Sequence, residues 1–275
     1  MLEIPEAVTA AAQINKTAAG KRILNVIAAH SSHKFAWYSG EPALYNALLS
    51  GRSIDAAAAV GGMVQIMAGD SVLLLGDGVS LRFLEFGEPR PEKHQLLIEF
   101  EDGTALCASV QMYGGLWCFK DGEFDNPYYI LAKEKPSPVT DRFDRHYFET
   151  ILTRPENAGL SAKALLAAEQ RIPGLGNGVL QDILFEARIH PKKKVNTFSQ
   201  VEKEALYSSV KSVLLRMVES GGRDTEKDLF GNPGGYRTKL SRNTAGKPCP
   251  VCGTLIQKEA YMGGSVYFCG NCQKL

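Results

Sequence analysis

Residues 5–18 carry apolar side chains at helical spacing. Val8, Ala12 and Ile14 are available for packing, and Gly20 follows as a stop signal. The pattern predicts a helix that begins almost at the first residue.

Short runs of β-type residues follow the predicted helix. Turn sequences at 68–70, 76–78 and 101–103 separate several of these runs, and each of them combines glycine with aspartate. Up to eight closely spaced strands favour an antiparallel sandwich or barrel. The alanine-rich run at 56–62 is interpreted as a loop or a strand entry. The predicted strands occupy residues 23–29, 34–39, 63–68, 71–76, 80–86, 94–100, 105–112 and 116–119.

The composition changes at residues 133–144. This stretch has two prolines, mixed charge and no apolar periodicity, which is typical of a linker. Helical spacing returns beyond it. Residues 221–247 are rich in glycine and charge, which favours a mobile loop. The predicted helices occupy residues 145–152, 161–170, 178–188 and 199–219.

Residues 170–191, QRIPGLGNGVLQDILFEARIHP, place a glycine-bracketed turn between two predicted helices. Pro173 stops the first helix, while Gly174 and Gly176 permit positive φ or close approach of the backbone to a ligand. Asn177 can then cap the second helix. A helix N-terminus with free N–H groups attracts anions, and a nucleic-acid phosphate is the obvious anion. The alternative interpretation is an ordinary helical hairpin with a glycine turn.

Two CxxC pairs lie near residue 275 and are separated by sixteen residues. Each pair presents two thiolates to a shared tetrahedral ion, so the spacing predicts a structural Zn²⁺ site. Between the pairs, two strand-like runs flank residues 262–264 and predict a β-hairpin finger. A redox role is the alternative. The remaining cysteines, Cys107 and Cys118, are expected to be buried thiols. The predicted zinc ligands are Cys249, Cys252, Cys269 and Cys272.

The chain has 275 residues, of which 44% are hydrophobic, and this is enough to bury two modest cores. No segment approaches the roughly 18 apolar residues of a membrane helix, and the first residues lack the features of a signal peptide. We therefore expect a cytoplasmic protein that has no contact with membranes.

The formal net charge is only +1, from 31 basic and 30 acidic residues. DNA binding must therefore depend on local patches rather than on the field of the whole protein. Two basic patches flank the hinge and predict contacts to a phosphate backbone, although a lysine triplet is more often a solvated surface. The patches comprise Lys192, Lys193 and Lys194 on one side and Arg237, Lys239, Arg242 and Lys247 on the other.

The QR…GLGN…HP layout of residues 170–191 resembles the helix–two-turn–helix of the formamidopyrimidine-DNA glycosylase/endonuclease VIII family, which also ends in a zinc finger of this kind. The resemblance implies that Asn177 contacts the phosphates around a damaged nucleotide. The predicted fold class is α+β, with an N-terminal helix and an antiparallel β-sandwich, then a helical helix–two-turn–helix domain and a zinc finger. The predicted boundaries are 1–132 for the sandwich, 133–144 for the linker, 145–246 for the helical domain and 247–275 for the finger.

The first six residues, MLEIPE, resemble the start of that family, in which a proline after the initiator Met supplies a terminal amine and the next Glu handles protons. An α-amine with a pKa of about 8 is partly neutral at physiological pH, whereas a lysine with a pKa of about 10.4 is not. Such an amine attacks the sugar C1′, expels the base and forms a Schiff base that permits β-elimination. The predicted catalytic residues are Met1, Leu2 and Glu3. Alternatively, Glu3 merely begins a helix with favourable dipole placement.

Three positions depart from the family pattern in addition to Leu2, which replaces the proline. Met63 occupies the place of a catalytic lysine, and Gly264 the place of an arginine that the family directs from its finger toward DNA. Asp77 stands where one branch has a void-filling methionine.

Residues 110–114 supply one amide, one flexible apolar and one aromatic side chain between strands. A flipped base leaves a hole in the stack, and Gln111, Met112 and Tyr113 are predicted to fill it. The family's formamidopyrimidine branch uses arginine and phenylalanine here. The alternative is that Met112 and Tyr113 belong to the core.

The sequence therefore predicts a monomeric base-excision-repair DNA glycosylase/AP lyase that acts on damaged bases or abasic sites in double-stranded DNA. A catalytically silent binder of abasic or distorted DNA is the rival, favoured by Leu2 and Met63. A zinc-dependent scaffold without nucleic acid is supported only by the near-zero net charge. Selection of the lesion is expected to reside in residues 223–236.

Overall fold

The computed structural model describes residues 2–275 and begins with helix α1 (Ile4–Thr17). Pro5 lies in the first turn, where its missing N–H leaves no helical hydrogen bond unmade. Ala7, Ala11 and Ile14 are buried along one face of the helix. The predicted N-terminal helix is confirmed.

A seven-stranded sheet follows in the order β1-β6-β7-β5-β4-β3, and its neighbouring strands are antiparallel. The short strand β2 joins β7 in parallel. Side chains from both ends of the sheet share one hydrophobic core with α1, so the sheet encloses the core as the predicted antiparallel sandwich. The strands are β1 (Ile23–Ala28), β2 (Ala36–Trp37), β3 (Ala56–Val60), β4 (Met63–Ala68), β5 (Ser71–Leu84), β6 (Leu96–Phe100) and β7 (Ala105–Lys120).

Strands β5 and β7 are each longer than the sequence predicts, because each joins two predicted strands. Residues 76–78 do not form a turn. Instead, Asp77 adopts a φ of 57° and the pairing register shifts between Asp77 and Val79. A Cβ at Gly78 would lie 2.3 Å from the Tyr113 carbonyl oxygen, so the glycine allows the strands to remain paired past this irregularity. The alanine-rich run also pairs, as β3.

Helices dominate after the sheet, as predicted, although α3 overlaps the start of the predicted linker. Helix α5 ends at Ala167 rather than at residue 170, because Glu169 and Gln170 adopt left-handed backbone conformations. A capping box of Ser199 and Glu202 begins α7. The helices are α2 (Tyr45–Leu49), α3 (Pro127–Glu134), α4 (Arg145–Thr153), α5 (Ala162–Ala167), α6 (Val179–Glu186) and α7 (Gln200–Glu219), with 3₁₀ turns at Pro42–Leu44, Pro155–Asn157 and Val195–Thr197.

Helices α4 to α7 enclose a second core, and Ile4 of α1 is buried within it. A smaller cluster contains Phe185 of α6 together with Cys249 and Cys269, which connects the helical part to the finger. The finger is the predicted hairpin, with β8 (Gln257–Tyr261) and β9 (Gly264–Phe268). Among residues 2–275, no helix is both long enough and apolar enough to cross a membrane.

Candidate active site and nucleic-acid interface

Glu3 lies where the start of α1 meets the N-terminus of α6. Its Oε1 accepts a hydrogen bond from the Gly178 N–H and its Oε2 accepts one from the Val179 N–H, both at 2.8 Å. The carboxylate makes no capping bond to its own helix. Glu3 therefore precedes α1 in the chain, as the alternative interpretation holds, but its carboxylate occupies the positive end of α6.

The expectation that Asn177 caps α6 is wrong. Gly178 is the residue that precedes α6, and no neighbouring side chain caps the helix. The carboxylate of Glu3 instead accepts hydrogen bonds from the free N–H groups at the helix start. The anion at this helix end is a carboxylate of the protein itself. Instead, Asn177 Nδ2 donates to the Ser265 carbonyl at 3.0 Å, and Gln181 Nε2 donates to the same oxygen at 3.2 Å. Asn177 thus connects the hinge to the finger.

The hinge glycines fulfil both of the roles that the sequence suggests. Gly174 has a φ of 79°, and a Cβ there would lie 2.0 Å from the Gly62 nitrogen. A Cβ at Gly176 would lie 2.7 Å from the Glu3 carboxylate. The Ile4 N–H also donates to the Gly174 carbonyl at 3.0 Å. Close backbone approach at the hinge therefore holds Glu3 in place.

A buried ion cluster joins Glu3 to residues far along the chain. Arg223 is 2% exposed, and its Nε and Nη2 donate to the two Glu6 oxygens at 2.9 and 2.7 Å. Its Nη1 lies 3.6 Å from Glu3 Oε2. Burial raises the pKa of Glu3 above its ordinary value, while the Arg223 guanidinium and the two backbone N–H groups oppose that rise. A raised pKa makes this carboxylate a stronger base than an exposed glutamate, which suits a proton carrier.

A cavity of about 360 Å³ opens between α1, β5 and residues 221–229. The Thr9 hydroxyl is buried without a hydrogen-bond partner. A buried polar group of this kind is a candidate contact for a bound molecule. The cavity is lined by, among others, Leu2, Glu6, Thr9, Gln111, Met112 and Arg242.

Residues 221–247 contain no long element, but many of their backbone groups are held by the rest of the protein. The Phe83 N–H donates to the Leu229 carbonyl at 2.8 Å. The Asp182 carboxylate accepts from the Lys239 and Leu240 N–H groups at 2.9 and 2.7 Å, and burial raises the pKa of Asp182 to about 6. The segment is therefore held by β5 at Leu229 and by α6 at Lys239 and Leu240.

Gln111, Met112 and Tyr113 lie on the surface part of β7. Met112 is 65% exposed and Tyr113 is 36% exposed, so they are not core residues. Met112 and Gln111 reach the cavity. By contrast, Met63 is half-buried and packs with Trp117 against a hydrophobic cluster.

The lysine patch is engaged within the protein. Lys192 forms an ion pair with Glu259 of the finger and Lys193 forms one with Glu202, while Lys194 Nζ donates to the Gly159 carbonyl at 2.9 Å. Their contact with DNA remains a prediction. Arg242 is exposed at the cavity rim.

Two further groups at this interface could not be identified from local sequence patterns. Arg223 and Glu6 are 217 positions apart, and no local motif joins them. Lys163 is buried and donates to the Tyr261 carbonyl at 2.6 Å, and its Nζ lies 3.5 Å from where a Cβ at Gly264 would stand. An ammonium group is thus close to the position at which the finger has no side chain.

The four predicted zinc ligands come together at the base of the finger. Their sulfur atoms lie within 4.8 Å of one another, with 3.9 Å between Cys249 and Cys272 and 3.4 Å between Cys252 and Cys269. Tetrahedral Zn–S bonds of about 2.3 Å require sulfur separations of about 3.8 Å, so the geometry fits Zn²⁺. Gln273 accepts from the Cys269 N–H and donates to the Ile189 carbonyl, both at 3.0 Å. The site is thereby fixed to the helical part.

Two family models match the chain. Residues 135–228 match the formamidopyrimidine-DNA glycosylase H2TH domain, and residues 246–275 match the zinc finger found in FPG and IleRS. A formamidopyrimidine-DNA glycosylase of Symbiobacterium thermophilum is 30% identical over 279 residues, which cover 99% of this chain and 89% of the relative. One of Shigella dysenteriae is 32% identical over 218 residues, which cover 77% of this chain and 78% of the relative.

Solved structures agree in fold. The MutM (Fpg) protein of Thermus thermophilus superposes with a TM-score of 0.81 at 24% identity and 98% coverage of both chains. Lactococcus lactis Fpg in complex with abasic-site DNA gives 0.83 at 23% identity, with 99% of this chain and all of that chain covered. These proteins belong to a class of base-excision-repair DNA glycosylases. The present chain belongs to the formamidopyrimidine-DNA glycosylase family within that class.

Proposed function

We propose that this protein is a DNA glycosylase with AP lyase activity that acts on damaged bases or abasic sites in double-stranded DNA. The observation that carries the proposal is the position of Glu3, a buried carboxyl held at the N-terminus of α6 and next to a cavity lined by Leu2. A nucleotide flipped out of the helix needs such a cavity, and its C1′ needs a proton carrier beside it.

The nucleophile in this proposal is the α-amine at the N-terminus of the mature chain. Met1 lies outside the described residues, and the Leu2 N–H donates to the Asp77 carbonyl at 2.9 Å, so the backbone at this end is held against β5. The amine attacks C1′, the bond to the base breaks, and the Schiff base that forms permits β-elimination. Glu3 moves the protons. No lysine stands at the position of Met63 to share this work.

The remaining predicted contacts follow from this placement. Gln111, Met112 and Tyr113 enter the space vacated by the flipped nucleotide, Arg242 contacts the backbone beside the cavity, and Asn177 contacts phosphates near the hinge. Lys192 and Lys193 add weaker phosphate contacts, because each already pairs with a carboxylate. We further propose that the protein is monomeric and cytoplasmic, and that its Zn²⁺ is structural.

The test is to trap the Schiff base with borohydride on abasic-site DNA, using protein without a tag at its N-terminus. We expect a covalent adduct for the untagged protein and none when a residual tag blocks the amine. Glu3→Gln should slow base release about 10²- to 10⁴-fold while DNA binding persists. Glu41→Gln, at an exposed carboxylate outside the cavity, is the matched control and should behave like the parent. Tight binding of abasic DNA without any adduct would refute the enzyme and leave a silent binder.

A further inference from the structure

Three aromatic side chains, Trp37 on β2, Tyr113 on β7 and Phe35 in the turn before β2, are exposed on this part of the sheet. Phe35 is 47% exposed, Trp37 is 45% exposed and Tyr113 is 36% exposed. We call this group the aromatic platform. Clustered aromatic side chains in water indicate a binding surface rather than a packing accident.

The backbone fixes the platform. Strand β2 pairs with β7 in parallel at Ala36 and Gly114, and the Gly114 N–H donates to the Phe35 carbonyl at 2.9 Å. The rings of Trp37 and Tyr113 lie 5.8 Å apart with 39° between their planes. The two rings are therefore held side by side before any partner arrives, so little conformational entropy is lost on binding.

One member of the platform is next in sequence to a residue that lines the cavity. Tyr113 directly follows Met112, which lines the cavity. Burial, together with the negative charges of Asp77 and Glu3, raises the pKa of Tyr113 above its ordinary value. At the far end, Lys34 Nζ lies 5.3 Å from the centre of the Phe35 ring. Exposed rings, two of them paired, together with a nearby cation match the chemistry of a nucleic-acid strand, which alternates π-faces with phosphates.

We propose that the aromatic platform stacks on unpaired bases next to the damaged nucleotide, so that damage in a locally melted stretch is bound in preference to the same damage in fully paired DNA. The proposal rests on the proposed function and names its substrate class. Bases within an intact duplex stack on each other, so Phe35 and Trp37 gain stacking partners only where neighbouring bases are unpaired. Aromatic rings stack on any base. Gln111 and Met112 likewise are not dedicated to one particular base, which agrees with binding that does not depend on base identity.

Affinity for two DNA probes tests the proposal. Both probes carry a tetrahydrofuran abasic analogue, one in a fully paired duplex and one within a short unpaired bubble, and dissociation constants are measured by fluorescence anisotropy at one salt concentration. We expect tighter binding of the bubble. Trp37→Ala should weaken binding of the bubble about 5- to 100-fold and binding of the duplex much less, while Trp37→Phe should retain most of the preference.

Leu24→Ala is the matched control, since Leu24 is 58% exposed on β1 of the same sheet. It should leave both dissociation constants unchanged. The proposal is overturned if the parent binds both probes with equal affinity, or if Trp37→Ala loses the same affinity for both. The aromatic platform would then be expected to bind a protein partner instead. Thermal melting checks that each variant is folded. The two tests are independent, because the affinity measurement requires no chemical step. A preference for the bubble can be found even if no borohydride adduct forms. Conversely, the adduct can form on duplex DNA even if the protein has no preference for the bubble.

Discussion

The zinc finger and the Glu3 site are both polar clusters that fix an essential geometry, but they are assembled differently. The four cysteine ligands lie within 24 positions of one another, in two local knuckles. Glu3, by contrast, is bonded to residues 175 and 176 positions away, and Glu6 to a residue 217 positions away. The cysteine cluster of the finger is assembled from local knuckles whose geometry fits a metal ion, whereas the Glu3 site exists only when α1 packs against α6 and Arg223.

The largest expected effect follows from loss of the metal. It tests whether the finger can unfold while the rest of the protein stays folded. In small zinc fingers the free energy of zinc binding, about 10–16 kcal/mol, supplies the free energy of folding. Cys269→Ser should therefore unfold residues 247–275 and weaken DNA binding, while the sheet stays folded. Zinc content and limited proteolysis measure both results. Cys107→Ala, at a buried thiol of the sheet, should keep its zinc. Near-absence of zinc in parent protein purified without chelator would contradict the prediction.

The next effect tests whether the Glu3 site holds the two parts together. Arg223→Met leaves two buried carboxylates without their cation, and breaking a buried ion pair costs about 3–5 kcal/mol of unfolding free energy. Arg223→Lys should lose less, because it keeps the charge but not the two-pronged geometry. Urea denaturation measures both variants.

The control for Arg223 is Arg22→Met, since Arg22 pairs with Glu101 at 3.2 Å on the surface and both side chains are more than half exposed. An exposed pair contributes less than about 1 kcal/mol. Equal losses for the two methionine variants would show that the buried cluster does not join the sheet to the helices.

The smallest effect concerns the contact between hinge and finger. Asn177→Ala removes a bond to Ser265 and a predicted phosphate contact, so binding of abasic-site duplex should weaken about 2- to 10-fold. The loss should be the same for different flanking sequences, because a phosphate contact carries no base information. Asn196→Ala, at an exposed asparagine, is the control. Unchanged affinity of Asn177→Ala would remove Asn177 from the DNA interface.

Local patterns explain what could be predicted from the sequence. A short run of β-type residues predicts β4 (Met63–Ala68) with its observed ends, and the CxxC spacing predicts that the four cysteines form one cluster. The positions of the hinge glycines predict a tight turn, because few other residues tolerate positive φ or close approach of the backbone.

The features that could not be predicted depend on contacts between residues far apart in the sequence. The sequence favours Asn177 as the cap of α6 because it is adjacent, but the N–H groups are satisfied by Glu3, which charge and packing bring to the same place. Likewise, residues 76–78 have the composition of a turn, and only their pairing with β7 keeps them in a strand. The Trp37 and Tyr113 contact has no signature in either segment.

The bonds from Glu3 and Glu6 to the far end of the chain also set an order of events during synthesis. The first residues leave the ribosome first, yet Arg223 is made 217 residues after Glu6, which takes roughly 10–40 s at about 5–20 residues per second. During that interval both carboxylates remain solvated and the junction between α1 and α6 cannot close. The proposed catalytic centre is therefore among the last parts of the protein to form, and an unfinished chain on the ribosome has no complete cavity with which to attack DNA.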